Sequence, residues 1–268
     1  MIPSFKVGLA QIDIEYGNME RNLAAALDII AKHSEVDILI FPELFLTGYD
    51  LERKNELAVE LLKAPEIRKL QNAARNASSI LIGSVITRWD AHFANTLFVI
   101  NRDGQILSSY NKVHLFRLMD EHSHFRPGKT LEVATLSPNE STTECISLGL
   151  AICYDLRFPE MFRQLRVMGA DFFVIPAEWP EPRIAHWTML AKARAIENQS
   201  YVLAVNRVGS DPNNRFGGKS IAITPTGETM SLLEENEAIG IVNIEPFDLE
   251  AYRVKLPVIR DRRPDLYG

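Results

Sequence analysis

Hydrophobic and polar positions along the chain switch repeatedly between a two-residue and a three-to-four-residue period. Phe5, Val7 and Leu9 alternate as a strand does, and Leu23, Leu27 and Ile30 recur at helical spacing behind Asn18, a side chain suited to capping that helix. An apolar run from Val36 to Phe41 then reads as a buried strand that ends at Pro42 and leads into Glu43. Pro65 opens a second helix through Ile67, Leu70 and Ala74. Strand-like runs follow over 80–87, 96–101 and 105–110, the last two joined by the hairpin turn Asn101-Arg102-Asp103-Gly104.

The second half repeats this order. A strand runs to Cys153, a helix covers 158–168, a strand 171–176, a helix 183–198, and strands follow over 201–206, 220–224 and, after the turn at 224–227, 239–244. Two halves of like order predict an α/β fold of two sheets with helices on their outer faces. At 268 residues and 46% hydrophobic, the chain is expected to form a single domain spanning 1–268. The segment 246–268 shows neither period and is expected to be a C-terminal arm, either packed on a partner or loosely held.

Composition narrows the function classes. The net charge of −6 gives no electrostatic footprint for nucleic acid or an anionic membrane surface, and no stretch approaches the ~18 apolar residues of a membrane span. Two cysteines make no disulfide framework, which suits a reducing compartment, so the chain reads as cytoplasmic.

Three segments carry candidate chemistry. Cys153 closes the apolar run Gly149-Leu150-Ala151-Ile152 and is followed at once by the turn-like Tyr154-Asp155-Leu156-Arg157-Phe158-Pro159-Glu160. A thiol at the edge of a buried strand, under the N–H groups of the next turn, is a candidate nucleophile; packing as a small hydrophobe is the alternative, and the one assigned to Cys145. Glu43, among Leu44, Phe45 and Leu46, is a candidate proton acceptor. Lys112, where a polar strand meets an apolar loop, is a cation that could meet a developing oxyanion. His114, His122 and His124 with Asp120 and Glu121 fall in one region without a second ligand cluster, so no metal site is expected. Gly-x-Ser-x-Gly is absent. His186 and Trp187 on a predicted helix are read as packing residues.

Phe41-Pro42-Glu43-Leu44, Asn111-Lys112-Val113-His114-Leu115-Phe116 and Ala151-Ile152-Cys153-Tyr154-Asp155-Leu156-Arg157-Phe158-Pro159-Glu160 together resemble the three signature blocks of the nitrilase superfamily of carbon-nitrogen hydrolases. The resemblance implies a four-layer α-β-β-α sandwich, a Glu43-Lys112-Cys153 triad, a second glutamate at Glu121 and no cofactor. It also implies a homodimer or higher homo-oligomer acting on a small-molecule amide through a thioester on Cys153, with Lys112 and the Tyr154 backbone N–H holding the oxyanion. The segment Ala177-Glu178-Trp179-Pro180-Glu181-Pro182-Arg183 resembles the omega-amidase branch, which acts on monoamides of 2-oxo dicarboxylates such as 2-oxoglutaramate. Trp179 and Arg183 are then the candidate substrate contacts, against the alternative of a surface turn with one buried aromatic. An N-carbamoyl-amino-acid amidohydrolase, a nitrilase and a non-catalytic interaction module of the same fold remain the other readings.

Overall fold

The computed structural model describes residues 2–139, 144–245 and 247–267. The first half supplies strands β1 (Phe5–Gln11), β2 (Ile38–Ile40), β3 (Ile80–Trp89), β4 (His92–Ile100) and β5 (Ile106–Asn111), with helices α1 (Met19–Lys32), α2 (Lys54–Leu57), α3 (Pro65–Ala77) and α4 (Glu121–His124). The second supplies β6 (Val133–Leu136), β7 (Ile146–Leu150), β8 (Phe172–Ala177), β9 (Tyr201–Asn206), β10 (Ile221–Ile223), β11 (Thr229–Leu232) and β12 (Ala238–Ile244), with α5 (Pro159–Val167), α6 (Ile184–Asn198), α7 (Leu249–Lys255) and α8 (Pro264–Tyr267). They form two six-stranded sheets, ordered β12-β1-β2-β3-β4-β5 and β11-β10-β9-β8-β7-β6.

Both faces of each sheet are covered, which is why the central strands read as unbroken apolar runs. In the first sheet Ile38, Ile40, Ile80 and Ile82 face the second sheet, where they join Leu148, Leu150, Phe172 and Val174 in one core. Leu39 and Leu81 point the other way, onto Leu23, Ala26 and Ile30 of α1 and Ile67, Leu70 and Ala74 of α3. Beyond the second sheet, Met161, Phe162 and Leu165 of α5 and Trp187, Ala191 and Ala195 of α6 complete the fourth layer. The expected four-layer sandwich is the observed one. Asn18 caps α1 as expected, its side chain accepting from the Arg21 N–H at 3.3 Å, and Pro65 stands at the start of α3.

Three features depart from the sequence reading. The strand β12 does not stay with its own half; it pairs antiparallel with β1, Val7 opposite Val242, and so ties the two sheets together through the chain. Cys145 lies before β7 and is exposed, so it is no packing residue of that strand; His186 is exposed too, whereas Trp187 is buried. The segment read as having no period contains α7 and α8, while its end positions Pro246 and Gly268 lie outside the described residues. A seven-residue helix that buries only Leu249 leaves no apolar stripe to detect. Polar contacts fix it instead: Asp248 caps Ala251 N at 2.9 Å, and Arg253 reaches Asp171 at 2.7 Å and the Gln199 carbonyl.

The parallel strands β2, β7 and β8 all end on one side of the molecule. Crevices outside the carboxyl ends of such strands are where α/β sheets place ligands, and Glu43, Cys153 and Glu178 each follow one of these ends.

Candidate active site

Glu43 is fully buried because the chain leaves β2 at Pro42, which cannot donate to a ladder, and turns inward at Leu44 (φ 45°). That left-handed turn is held by Leu44 N to Ser84 Oγ at 2.9 Å and by Gly48 N to the Leu44 carbonyl at 2.8 Å. The two carboxylate oxygens are treated unequally. Oε1 accepts from Tyr49 OH (2.8 Å), Asn95 Nδ2 (2.8 Å) and Lys112 Nζ (2.7 Å), whereas Oε2 accepts from the backbone N–H of Glu178 (2.9 Å).

Lys112 follows β5, its backbone N–H continuing the pairing to the Asn95 carbonyl at 2.9 Å. Gly128 packs over this position and donates to the Lys112 carbonyl at 2.9 Å. A Cβ there would meet the Asn111 carbonyl oxygen at 2.1 Å, so the close approach requires glycine. The Lys112 ammonium bridges Glu43 Oε1 and Glu121 Oε2, both at 2.7 Å, and neither partner is accessible to solvent. Burial alone would lower this ammonium, but Glu121 and Glu43 outweigh it and hold the group charged, above its ordinary range. Burial raises the Glu121 carboxyl; Lys112 opposes that shift and the nearby Glu43 adds to it. Glu121 also accepts from Phe116 N at 2.6 Å and Tyr49 OH at 3.1 Å. Its neighbour Asp120 is exposed and accepts from the Ser123 hydroxyl instead, so the loop brings one of two adjacent acids to the lysine.

Cys153 has a φ of 44° and stands at the first residue of a 3-10 turn, Cys153–Arg157. A non-glycine residue in that region carries strain that persists only where its surroundings enforce it. Asp155 supplies the enforcement: its carboxylate accepts from Ile152 N (2.8 Å), His114 N (3.1 Å), His114 Nδ1 (2.8 Å) and Tyr110 OH (2.8 Å). One buried acid thereby locks the turn of Cys153 to the strand end that carries Lys112. Burial and then the Glu43 charge push the Cys153 thiol well above its ordinary value, with Lys112 pulling the other way and a hydrogen bond to Glu43 favouring the protonated form. The thiol therefore rests neutral, with a carboxylate in place to receive its proton. Tyr154 follows, in the first turn of the 3-10 segment, where backbone N–H groups have no partner within the turn.

Trp179 and Arg183 are held together by one hydrogen bond. Trp179 is buried, donates from Nε1 to the Arg183 carbonyl at 2.8 Å and packs against Trp187 at 5.5 Å between ring centroids. The Arg183 guanidinium lies 6.0 Å from the Phe116 ring. Arg157, which has no role in the sequence reading, stacks its guanidinium 4.6 Å from the Trp179 ring. Burial lowers its pKa, and Arg183 adds to that shift. Tyr49, Asn95 and Asp155 also went unassigned; Asp155 alone had a signal, its position two residues after the candidate nucleophile. Of the histidines weighed for a metal site, His114 bonds Asp155, while His122 and His124 lie 3.5 and 3.6 Å from Asp120 and His124 is 2.8 Å from Lys54 Nζ; among the described residues no group of three or more His, Cys, Asp and Glu is gathered to hold a metal ion.

The arrangement can do nucleophilic chemistry: a thiol, a carboxylate to take and return its proton, and an ammonium and backbone N–H to meet an oxyanion. Comparisons with known proteins agree in kind. A carbon-nitrogen hydrolase family model matches residues 6–254. The chain is 39% identical over 262 residues to a 2-oxoglutaramate amidase of Bacillus subtilis, covering 97% of this chain and 98% of that one. It is 31% identical over 262 residues to an omega-amidase of Escherichia coli, covering 97% of each. Among solved structures it is similar to a CN-hydrolase superfamily protein of Xanthomonas campestris that carries an arsenic adduct in its active site, at a TM-score of 0.89 and 27% identity over 98% of each chain.

Proposed function

The chain belongs to the carbon-nitrogen hydrolase family, and from that premise we propose that it is an omega-amidase that hydrolyses the terminal amide of a 2-oxo dicarboxylate monoamide through Cys153. The observation that carries the reading is the buried Lys112 bridging Glu43 and Glu121, with the Cys153 thiol against Glu43. Glu43 takes the thiol proton as sulfur adds to the amide carbonyl carbon. The oxyanion is received by Lys112 and the Tyr154 N–H, donors fixed before the charge develops. The tetrahedral intermediate collapses, the C–N bond breaks, and Glu43 returns the proton to the leaving ammonia. A thioester remains on Cys153. Water gives a proton to Glu43 and adds to the thioester, and the acid leaves as the thiol is reprotonated. Glu121 holds Lys112 charged and in place.

The substrate class rests on the names of the relatives and on the two cations near Trp179. A 2-oxo dicarboxylate monoamide keeps one carboxylate, which Arg183 and Arg157 can receive. The Arg183→Gln and Arg157→Gln variants are each expected to raise KM for 2-oxoglutaramate by roughly 10- to 100-fold, the worth of one charge-assisted hydrogen bond, while a neutral monoamide such as butyramide is little affected. Equal losses on both substrates would remove the arginines from substrate recognition. The reading as a whole is tested by ammonia release from 2-oxoglutaramate, succinamate, an N-carbamoyl amino acid and a nitrile; turnover confined to the last two would overturn it.

The chain is further proposed to form one domain that associates with a second copy and works in a reducing compartment such as the cytoplasm, which suits its two unpaired thiols. Among the described residues no helix is long and apolar enough to cross a membrane. Met189 and Ile196 lie seven residues apart on the outer face of α6, 69% and 52% exposed, and Leu266 and Tyr267 at the end of the arm are also exposed. Light scattering is expected to give at least the mass of a dimer, and Met189→Glu combined with Ile196→Glu to shift it toward the monomer.

A further inference from the structure

Glu43 Oε1 is occupied by three side-chain donors, which leaves Oε2 as the oxygen with room for the thiol proton. Its partner is the peptide N–H of Glu178 at 2.9 Å, and that peptide is anchored from behind. The Glu178 carboxylate accepts from Arg207 at 2.9 Å, and both side chains are fully buried. The other donors of Arg207 reach Asp13 (2.8 Å), the Ile14 carbonyl (2.8 Å) and the Val208 carbonyl (3.0 Å), on loops beyond β1 and β9. The next peptide is held too, Trp179 N donating to Asn206 Oδ1 at 2.6 Å. Glu178 Oε1 is buried without a hydrogen-bond partner, and a buried pair of this kind is weak support for stability. Its place directly behind the active carboxylate gives it another use.

We propose that Glu178 and Arg207 act as a positioning pair, holding the Glu178 peptide N–H on Glu43 Oε2 and so setting the proton affinity of the oxygen that receives the Cys153 proton. This rests on Glu43 being the base in the mechanism above. A donor on a carboxylate favours its charged form, so losing the N–H makes Glu43 Oε2 the stronger proton acceptor. Lys112, Tyr49, Asn95, Glu121 and Cys153 also bear on Glu43 and keep their own contacts with it in a change at position 178, whereas the Glu178 charge acts on Glu43 directly as well as through its peptide. Burial, against the pull of Arg207, pushes the Glu178 carboxyl up to about 8, and glutamine keeps an acceptor oxygen of the same reach for Arg207.

The test compares Glu178→Gln with Glu178→Asp, reading kcat, KM and the pH profile of ammonia release. Glutamine still spans the distance to Arg207 and is expected to stay within about twofold of wild type. Aspartate keeps the buried charge paired, so the variant folds, but it reaches Arg207 only by drawing the peptide off Glu43. Because displacements of about 1 Å can cost up to ~10²-fold in rate, kcat is expected to fall at least about tenfold with KM within twofold. The acidic limb of its profile is expected to move to higher pH. An aspartate variant with the wild-type limb and kcat, or a glutamine variant shifted as far as the aspartate one, overturns the positioning role. A wild type without amide turnover takes down the functional reading as well, and is told apart by that.

Discussion

Replacing Cys153 with alanine is expected to reduce ammonia release from 2-oxoglutaramate by at least about 10⁴-fold, because the covalent intermediate of the proposed mechanism forms on this thiol. The loss falls on chemistry and not on folding. The residue buries a small side chain, and the constraints on its turn come from Asp155 through Ile152 N, not from the sulfur. Its φ of 44° strains alanine no more than cysteine. The melting temperature is therefore expected to stay within a few degrees of wild type, and substrate to bind still. Intact-mass measurement during turnover separates the possibilities: an acyl adduct on the wild type that is absent from the variant places the thioester on this thiol. Cys145→Ala is the matched control, since Cys145 is exposed and lies outside the cluster, and it should leave the rate unchanged. Residual turnover of a tenth or more in Cys153→Ala would remove this thiol from the mechanism.

The groups that react were legible in the sequence, and those that place them mostly were not. Glu43, Lys112 and Cys153 each stand at the end of an apolar or alternating run, so the local pattern marks where strand gives way to loop and which polar residue waits there. Tyr49 and Asn95 carry no such mark. Tyr49 sits in a loop, and Asn95 reaches Glu43 because β4 pairs with β3 in the register that sets Asn95 opposite Ile86; no local period reports that pairing. Asn95 and Arg207 are ordinary polar residues in or just past a strand until the sheets are assembled. The position of β12 was hidden for the same reason, since a strand's pattern states which face it buries but not which sheet takes it in. Glu178 looked like part of a loop with an aromatic anchor. Its role behind Glu43 depends on β8 and β9 ending side by side, with Ala177 opposite Asn206.

Lys112→Met should damage stability and catalysis together, which distinguishes it from the cysteine variant. In wild type the ammonium stands between two buried carboxyl groups, and Tyr49 and Asn95 each share their donors between the same two acids. With the cation gone, both carboxyl groups lose the charge that bridged them. Removing one partner from a buried charge network costs about 3–5 kcal/mol, which for a domain of this size lowers the melting temperature by on the order of 10 °C. Burial already raises Glu121, and Lys112 was the charge opposing that rise. In the variant Glu121 holds a proton to higher pH than it does in the unfolded chain. A carboxyl group raised by folding contributes stability at low pH that is lost as pH rises through its folded value. The melting temperature of Lys112→Met is therefore expected to fall from about pH 5 to pH 8 more steeply than that of wild type. Activity is expected to drop at least 10²-fold, the cost of losing one preorganised donor to the oxyanion. Adding Glu121→Gln removes one of the two charges, so the double variant should regain stability and flatten its pH dependence without regaining turnover. A Lys112→Met protein that melts like wild type across this range would show that the three groups do not behave as one charged unit.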